Sequence, residues 1–314
     1  QELPVNNQTD FKIKLQEDAA NLDEVVVVGY GTMDKKELTS AVSHVSSKNF
    51  TQVASVDPSM MIQGKVAGVS ITNTGAGDPN NQASIQVRGV SSRAAGLGPL
   101  IVIDGVPGGN LTNINPNDIE SYDVLKDGAA SAIYGTRGSN GVILVTTKKG
   151  ARDGNLHTSY NGSIALDVIK KDLDMLSPDE YRANRLASGT GYDLGGSTDW
   201  MKEVSRVGVR TVHTLTLSGG NIKSNYRASV DYRDAKGIDK YSGRQEYGAR
   251  ISLNHTTNSG LITFGLNIAP RVAYRKNATW DVFRNALEAN PTTPIWDPQN
   301  PALYYNFKGQ PAEW

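Results

Sequence analysis

Residues 114–135 read INPNDIESYDVLKDGAASAIYG, and this stretch decides the fold of the first half of the chain. It opens like a helix, because Asn115 can cap free backbone amides and Pro116 suits the first helical position. The apolar run from Tyr122 to Leu125 then predicts a strand. The alanines that follow predict a short helix that ends at Gly135. Strand and helices in so short a space indicate an α+β domain.

The flanking segments continue this alternation from about residue 44 to residue 150. In VDPSMMIQGKVAG, Asp57 is a helix cap, Pro58 takes the first helical position and Gly68 ends the helix. ASIQVRG predicts a strand, PLIVIDGVPGG predicts a buried strand that enters an Asp-Gly turn, and VILVTT predicts the last strand. We therefore expect a compact α+β domain of roughly 100 residues.

Beyond residue 150, five segments alternate apolar and polar residues over about the length of a tilted membrane strand. They are LHTSYNGSIALDV, VRTVHTLTLSG, NYRASVDYR, QEYGARISLNH and LITFGLNIA. The second segment has the weakest pattern. Alternation alone does not separate a soluble sandwich, with its apolar face inside, from a membrane barrel, with its apolar face outside.

The connections and the polar faces favour the barrel. Short connectors, GGNIKSN and TTNSG, alternate with long stretches at 169–208 and from residue 271 onward, as in outer-membrane barrels. The faces opposite the apolar sets suit a wet lumen, with Arg227, Ser229, Asp231, Arg233, Glu246, Arg250, Ser252 and Asn254. Tyr226, Tyr232 and Tyr247 stand where an aromatic girdle would lie. A sandwich remains the alternative.

Composition excludes several classes of site. The chain has 32 Lys and Arg against 32 Asp and Glu, so no net charge favours a nucleic acid partner. It has no cysteine, and its four histidines stand far apart, so we expect no metal site and no cofactor. The glycine-rich pieces do not fit a phosphate loop, and no catalytic constellation is recognisable. We therefore expect that the protein is not an enzyme.

The stretch DEVVVVGYGT at 23–32 has two interpretations. It is either a buried strand of an N-terminal domain or a tethered strand that pairs with the sheet edge of another protein. Polar, turn-prone chain on both sides is compatible with a tether. The residues alone leave both interpretations open.

The closing stretch is rich in aromatic residues, which can stack on a ligand at little entropic cost. The candidates for ligand binding are Trp280, Trp296, Tyr304, Tyr305 and Trp314. The alternative, which we favour, is that these side chains pack a long loop on itself or against a partner.

Taken in order, DEVVVVGYGT, QGKVAGV, IQVRG, VIDGVP, INPNDIESYDVLKDGAASAIYG and NGVILVTTKKG closely resemble the plug region of the SusC/RagA family of TonB-dependent outer-membrane transporters. The resemblance is dense from residue 23 to residue 150 and looser to about residue 310. It implies an α+β plug domain followed by antiparallel strands of a transmembrane β-barrel of about 22 strands. It also implies a bacterial outer-membrane location in contact with membrane lipid.

The resemblance further implies active import of glycan oligosaccharides or peptides. The expected partners are TonB, with ExbB and ExbD, and a SusD-like surface lipoprotein that covers the barrel. By position, the TonB-binding residues are Asp23, Glu24, Val25, Val26, Val27, Val28 and Gly29. Arg88 and Glu120 fall in plug motifs where charged contacts to the barrel are expected.

The domains that follow are the end of a sandwich-like domain or linker at 1–22, the Ton box at 23–32, the plug at 33–150 and barrel strands with extracellular loops at 151–314. The loops are expected at 169–208 and 271–314, with the short turns in the periplasm. Five strands leave an open edge whose unpaired groups would cost several kcal/mol each in lipid. We therefore expect these 314 residues to be the N-terminal part of a longer protein.

One alternative function belongs to another class. It is a β-rich surface module that binds glycan or peptide without transporting it. A passive porin is disfavoured, because a porin has no plug.

Overall fold

The computed structural model describes residues 25–28, 31–34, 42–50, 57–75, 77–89, 98–126, 134–170, 174–278, 281–299 and 301–302. The strands are β1 Val25–Val28, β2 Gly31–Asp34, β3 Val42–Ser46, β4 Val69–Thr72, β5 Ser84–Val87, β6 Leu100–Ile103, β7 Val106–Pro107, β8 Ile119–Leu125, β9 Val142–Thr147, β10 His157–Asp167, β11 Gly208–Gly220, β12 Ser224–Lys236, β13 Gly243–Thr256, β14 Thr263–Ile268 and β15 Arg271–Lys276. The α-helices are α1 Pro178–Tyr181, α2 Trp200–Val204 and α3 Val282–Glu288. The predicted segment 1–22 lies outside the described residues.

Shorter helical turns connect these elements. They are the 3-10 turns Ser47–Asn49, Pro58–Ile62, Leu111–Asn113, Pro116–Asp118 and Gly135–Gly138, and the π-helical turn Arg182–Leu186.

A five-stranded sheet organises the first half of the chain, in the order β3-β8-β9-β6-β7. β6 and β9 run parallel and the other pairs are antiparallel. β4 and β5 form a separate hairpin beside it. We call the described part of residues 42–147 the N-terminal domain. The predicted strands of this region are confirmed.

β8 and β9 lie at the centre of the core of the N-terminal domain. Tyr122, Val124 and Ile143 are each 0% exposed, as expected for strands that are covered on both faces. The Tyr122 hydroxyl donates to the carbonyl oxygen of Pro58 at 2.9 Å. Burial raises the pKa of the Tyr122 phenol, and the charge of Asp57 raises it further. The phenol therefore stays protonated and acts as a donor.

The helix predicted after Asp57 is shorter than expected and of another type. Asp57 caps it as predicted, since its side chain accepts from the Ser59 amide at 3.0 Å. The helical residues, however, are a 3-10 turn over Pro58–Ile62 that stops well before Gly68. Gly64 explains the early end, because its φ of 72° is left-handed and interrupts a right-handed helix.

The Asp-Gly turn between β6 and β7 is confirmed. Asp104 and Gly105 have φ of 48° and 85°, the pair of positive values that a type I′ hairpin requires. The predicted alanine-rich helix before Gly135 falls mainly on residues 127–133, which lie outside the described residues.

β1, the four valines, is paired, and this corrects one expectation. β1 forms an antiparallel hairpin with β2, in which Val25 pairs with Asp34 and Val28 with Gly31. The chain after the valines therefore continues as a strand and is not merely a polar tether. β1 therefore has a local partner in β2.

The second half of the chain forms one antiparallel sheet of long strands, in the order β10-β11-β12-β13-β14. All five predicted strands are present. β15 is an addition, because it continues the line of β14 and pairs with the first half of β13. The loop predicted from residue 271 thus begins only after Lys276, since the ladder resumes beyond Pro270. We call β10–β15 the long sheet.

The two faces of the long sheet differ. On one face, large apolar side chains are exposed, among them Val230, Ile251 and Phe264. On the other face, polar side chains such as Thr214, Ser229 and Glu246 are buried. We call these the outer face and the inner face. A soluble sandwich would show the opposite distribution, so the arrangement matches the barrel alternative.

A row of aromatic rings crosses the outer face from strand to strand. Neighbouring ring centroids lie 5.0–6.5 Å apart. The row consists of Tyr160, His213, Tyr232, Tyr247 and Tyr274. Tyr232 and Tyr247 were predicted for it. Tyr226 is exposed on the same face but lies six residues before Tyr232, so it belongs to another level of β12.

Two loops pack on each other beyond the ends of the long strands. The Thr198 hydroxyl donates to the Thr293 carbonyl at 2.7 Å, and the Trp200 indole donates to the Asn290 carbonyl at 3.1 Å. The helices of these loops are short. Within the described ranges, no helix has the length and apolarity needed to cross a membrane.

Replacing Tyr122 tests the core. Tyr122→Phe leaves the buried Pro58 carbonyl without its donor, so we expect the local free energy of unfolding to fall by about 1–2 kcal/mol. Hydrogen exchange in β8 should accelerate roughly tenfold, as followed by mass spectrometry of the full-length protein. Tyr241→Phe, at a tyrosine that is 61% exposed, should change nothing. An unchanged rate in Tyr122→Phe would contradict the assigned role.

Candidate functional site: the interface between the N-terminal domain and the long sheet

A buried carboxylate anchors the N-terminal domain to the inner face. Asp118, at the end of the 3-10 turn that leads into β8, is 2% exposed at its side chain. It accepts from Arg227 at 3.0 Å and from the Ser229 hydroxyl at 2.8 Å. Both partners lie on β12. An ion pair so well covered is difficult to break, because removing one partner leaves a buried charge alone.

A second carboxylate does the same at the β6–β7 turn. Asp104 accepts from Arg250 of β13 at 2.5 Å and from the amide and hydroxyl of Thr147 at 2.9 and 2.8 Å. The left-handed backbone of the turn points this side chain to the end of β9. One aspartate therefore joins two strands of the N-terminal domain to the wall formed by the long sheet.

Two amide side chains of the N-terminal domain also contact the long sheet. Asn115 and Asn117 both donate to the hydroxyl of Thr214, at 2.9 and 3.2 Å. Thr214 lies on β11 and is 0% exposed. Asn115 also caps the turn that leads to β8, as predicted, so the same cap residue shapes the turn and contacts the wall.

Backbone carbonyls receive the remaining contacts from the wall. Arg271 donates to the Asn113 carbonyl at 3.1 Å, and Arg233 donates to the Ile114 carbonyl at 3.3 Å. Both arginines also pair with Asp231 of β12. The residues just before β8 thus lie over a charged cluster on the inner face.

The charges around Asp118 act on a neighbouring lysine. Lys148 donates to the Asn117 carbonyl at 2.9 Å. Burial lowers the pKa of Lys148, and the cation of Arg227 lowers it further. Asp118 and Glu120 oppose this change. Asp118 therefore acts on two cations, because it is ion-paired with Arg227 and its charge opposes the lowering of the Lys148 pKa.

The far end of the N-terminal domain reaches the turn between β12 and β13. The Asn80 side chain donates to the carbonyls of Gly243 and Lys276, at 3.3 and 2.8 Å. The Ile238 amide donates to the Gly77 carbonyl at 3.0 Å. A Cβ at Gly77 would lie 2.4 Å from the end of the Ile238 side chain, so a larger residue there would require Ile238 to move. The domain therefore contacts the inner face along most of the strand length.

The TonB-binding residues predicted from position are only partly described. Val25 to Val28 form β1, whereas Asp23, Glu24 and Gly29 lie outside the described residues. A strand has two hydrogen-bonding edges, and pairing with β2 uses one of them. TonB binding here stays a prediction.

The two predicted contact residues of the N-terminal domain do not coincide with the anchors described above. Glu120 is exposed on β8, and Arg88 is exposed with a φ of 59° directly after β5. Their role stays a prediction. Asp104 and Asp118 are the carboxylates that pair with the wall. In the sequence, both aspartates look like ordinary turn and cap residues. The one hint of their role was the prediction that Arg227 and Arg250 lie on a polar face that lines the lumen.

Of the predicted aromatic ligand site, the structure describes only Trp296. Trp280, Tyr304, Tyr305 and Trp314 lie outside the described residues, and Trp296 is 49% exposed. The loop that carries Trp296 packs on the loop that carries Trp200, which accords with the packing interpretation. Ligand binding stays a prediction.

Among the described residues of the interface, the two aspartates that accept from hydroxyls, Asp118 from Ser229 and Asp104 from Thr147, are each also paired with an arginine. In the part of the chain that the structure describes, no cluster of three or more His, Asp or Glu could hold a metal ion. What the arrangement can do is hold the N-terminal domain against the inner face of the long sheet.

Comparison with known proteins agrees with this division of the chain. The family profile described as "TonB-dependent Receptor Plug Domain" matches residues 34–142. The TonB-dependent receptor SusC of Bacteroides thetaiotaomicron is 38% identical over 323 residues, which cover 98% of this chain and 32% of SusC. TonB-dependent receptor P3 of Formosa agariphila is 38% identical over 273 residues, covering 84% of this chain and 27% of that protein.

Solved structures give the same result. The RagAB peptide importer in the open-open state has a TM-score of 0.74 at 26% identity, over 82% of this chain and 33% of that chain. A second structure, of the RagAB peptide transporter, has a TM-score of 0.72 at 25% identity, over 85% of this chain and 35% of that chain. The chain spans about a third of the length of the relatives it matches.

Neutralising Asp118 tests the interface. Asp118→Asn removes the charge that holds Arg227, so we expect the contact to weaken by about 2–3 kcal/mol, because a buried charge loses its partner. Hydrogen exchange over residues 114–125 of the full-length protein should accelerate at least tenfold. Asp174→Asn, at an exposed carboxylate outside the interface, is the matched control and should leave exchange unchanged. Equal effects of the two variants would contradict the assignment of Asp118.

Proposed function

Because the chain belongs to the SusC/RagA family of TonB-dependent receptors, we propose that its protein imports nutrients across the bacterial outer membrane with energy supplied through TonB. Members of this family are outer-membrane proteins. In their terms, the N-terminal domain is the plug, and the long sheet is part of the barrel wall.

The observation that carries the proposal is the paired charge between plug and wall. Asp118 with Arg227 and Asp104 with Arg250 hold the plug on the inner face at rest. Breaking several such contacts at once by thermal motion is slow, because each separated pair would leave a buried charge without its partner. Passage of a solute therefore requires work on the plug, which is the requirement that an energy-coupled importer meets and a passive pore does not.

The energy supplied through TonB would act on the plug at β1. TonB would pair with the strand Val25–Val28, where backbone hydrogen bonds supply affinity and alternate side chains set the register. Because β2 already occupies one edge of β1, TonB must add to the free edge or displace β2. Either route turns a local hairpin into a connection to another protein, with ExbB and ExbD as the energy source behind TonB.

The long loops would form the entrance for the substrate. We place the two interlocked loops, with Thr198 and Thr293, on the extracellular side, and the short turns at 221–223 and 257–262 in the periplasm. A SusD-like lipoprotein would cover the loop side. The substrate class is an oligosaccharide, as the family resemblance implies, or a peptide, since the RagAB structures are titled as a peptide importer and a peptide transporter. The protein would act as a carrier and not as an enzyme.

The alternative of a non-transporting binding module has less support. Such a module in water would bury its apolar face, whereas Leu266, Val272 and other outer-face residues are exposed. The outer face suits lipid, so the transporter is the better proposal.

A proline in β1 tests the proposal. Val27→Pro removes a backbone donor from the strand, so uptake of the substrate by cells should fall to the level of a strain that lacks TonB. Deletion of residues 24–28 should have the same result. Substrate binding to the purified full-length protein should remain, because β1 is not part of the loop surface.

Val27→Thr is the matched control, since it keeps the backbone donor and the β-branched shape. It should retain most of the uptake. Normal uptake by Val27→Pro, at an equal amount of protein in the outer membrane, would refute energy coupling through β1.

A further inference from the structure

Two short turns of the long sheet carry large apolar side chains at their tips. Ile222, in the turn between β11 and β12, is 79% exposed, and Leu261, in the turn between β13 and β14, is 86% exposed. Apolar surface of this size is unfavourable in water, and two such residues on adjacent turns form a patch. The tips of both turns therefore suit the boundary of a lipid layer.

The two turns are joined into one rim. The Lys223 ammonium donates to the side-chain oxygen of Asn258 at 2.9 Å, and the Thr256 amide donates to the Lys223 carbonyl at 2.7 Å. Both contacts connect the first turn to the second. Lys223 is exposed, and Asn258 carries no charge. The rim thus presents a cation at the level of the two apolar tips.

A polar pair follows the rim on the outer face. Ser224 and His255 are opposite each other on β12 and β13, and the Ser224 hydroxyl lies 2.7 Å from Nδ1 of His255. When this hydroxyl donates, the ring proton is on Nε2, which then offers a donor to another molecule. Alternation along the strands places both side chains on the same face as Tyr226 and Leu253.

An apolar groove of about 640 Å³ continues from this pair along the outer face. Tyr226 and Leu253 lie along the groove, and His255 and Phe264 line it nearer to the rim. A Cβ at Gly219 would lie 2.8 Å from the Tyr226 hydroxyl, so the Tyr226 ring leans over β11 and away from Leu253. The absence of a side chain on Gly219 therefore helps to keep the groove open.

The groove lies within the long sheet and not at its edge. β12 pairs with β11 and β13, and β13 pairs with β12 and β14. A further strand of a barrel would add beside β10 or beside β14 and would not cover the outer face of the strands between them. The exposure of Tyr226 and Leu253 is therefore a property of the outer face itself.

From the turns to the groove, the surface changes in the same order as a phospholipid does. A cation at the rim matches a phosphate, the hydrogen-bonding pair matches the ester groups, and the apolar groove matches an acyl chain. We infer that this surface binds one phospholipid, with its phosphate on Lys223 and an acyl chain between Tyr226 and Phe264.

The chemistry of lysine supports this assignment. A lysine at a membrane boundary lays its apolar stem on the protein and keeps its ammonium among the headgroups. A hydrogen bond between an ammonium and a phosphate is strengthened by the two charges. The inference rests on the proposed function in one respect: with the short turns in the periplasm, the lipid comes from the periplasmic leaflet, so we expect a phospholipid and not lipid A.

Native mass spectrometry of the full-length protein, stripped of lipid in detergent, tests the inference with matched probes. The probes are dioleoylphosphatidylglycerol and dioleoylglycerol, which has the same acyl chains and no phosphate. One molecule of dioleoylphosphatidylglycerol should bind each protein at least tenfold more tightly than dioleoylglycerol does.

Lys223→Gln should weaken binding of dioleoylphosphatidylglycerol about tenfold, as expected for a lost charged contact. Lys202→Gln is the matched control, because Lys202 is an exposed lysine of α2, at the opposite end of the strands. It should change nothing.

Leu253→Trp should abolish binding of the same lipid, because the larger side chain fills the groove. Val230→Trp is its matched control, since it places the same side chain on the outer face but outside the groove. It should leave the affinity unchanged.

Four results would overturn the inference. They are no binding of dioleoylphosphatidylglycerol, which would assign the patch to a protein partner; equal binding of the two probes; equal effects of either variant and its control; and displacement of the phospholipid by an equal concentration of lipid A. The proposed function fails in a different way. Uptake that survives Val27→Pro would remove energy coupling and leave the lipid site standing, whereas a protein that binds no phospholipid can still import its substrate.

Discussion

Charges that leave water must find partners, and this requirement governs how the two halves of the chain fit together. Arg227 is mostly covered by the plug, and Asp118 is the carboxylate that makes this burial tolerable. Arg250 depends in the same way on Asp104. The turn that carries each aspartate is therefore shaped for two tasks, since its backbone sets the fold of the plug and its side chain fixes the plug to the wall.

The alternation of side chains along each strand explains why the two faces of the long sheet differ. Residues such as Val230 and Ile251 are exposed on the outer face, while their neighbours Ser229 and Arg250 lie on the inner face, because successive side chains point to opposite faces. In the proposed function, import is coupled to work delivered at β1, far from the loops where substrate would enter.

Sequence reasoning predicted what depends on local pattern and missed what depends on distant pairing. The strands through Tyr122 and Val230, the cap at Asp57 and the turn at Asp104 all follow from periodicity or turn chemistry. The partnership of Asp118 with Arg227 spans 109 residues of chain, so no local signal shows it. β2 was missed because Gly31 and Asp34 are poor strand formers that gain their structure from β1. β15 was missed because Pro270 resembles the end of a strand.

The central claim is that the plug sits on the inner face of the wall through Asp118, and cross-linking tests it most directly. These 314 residues have no cysteine, so an introduced pair has no competing thiol within them. Asn117→Cys combined with Thr214→Cys, a neighbouring contact that leaves Asp118 intact, should form a disulfide rapidly and almost completely in native outer membranes under mild oxidation, and adding Asp118→Asn should slow it. Asn117→Cys combined with Leu215→Cys, one residue along and on the outer face, should form none. Equal cross-linking of both pairs, or none in the first, would contradict the account.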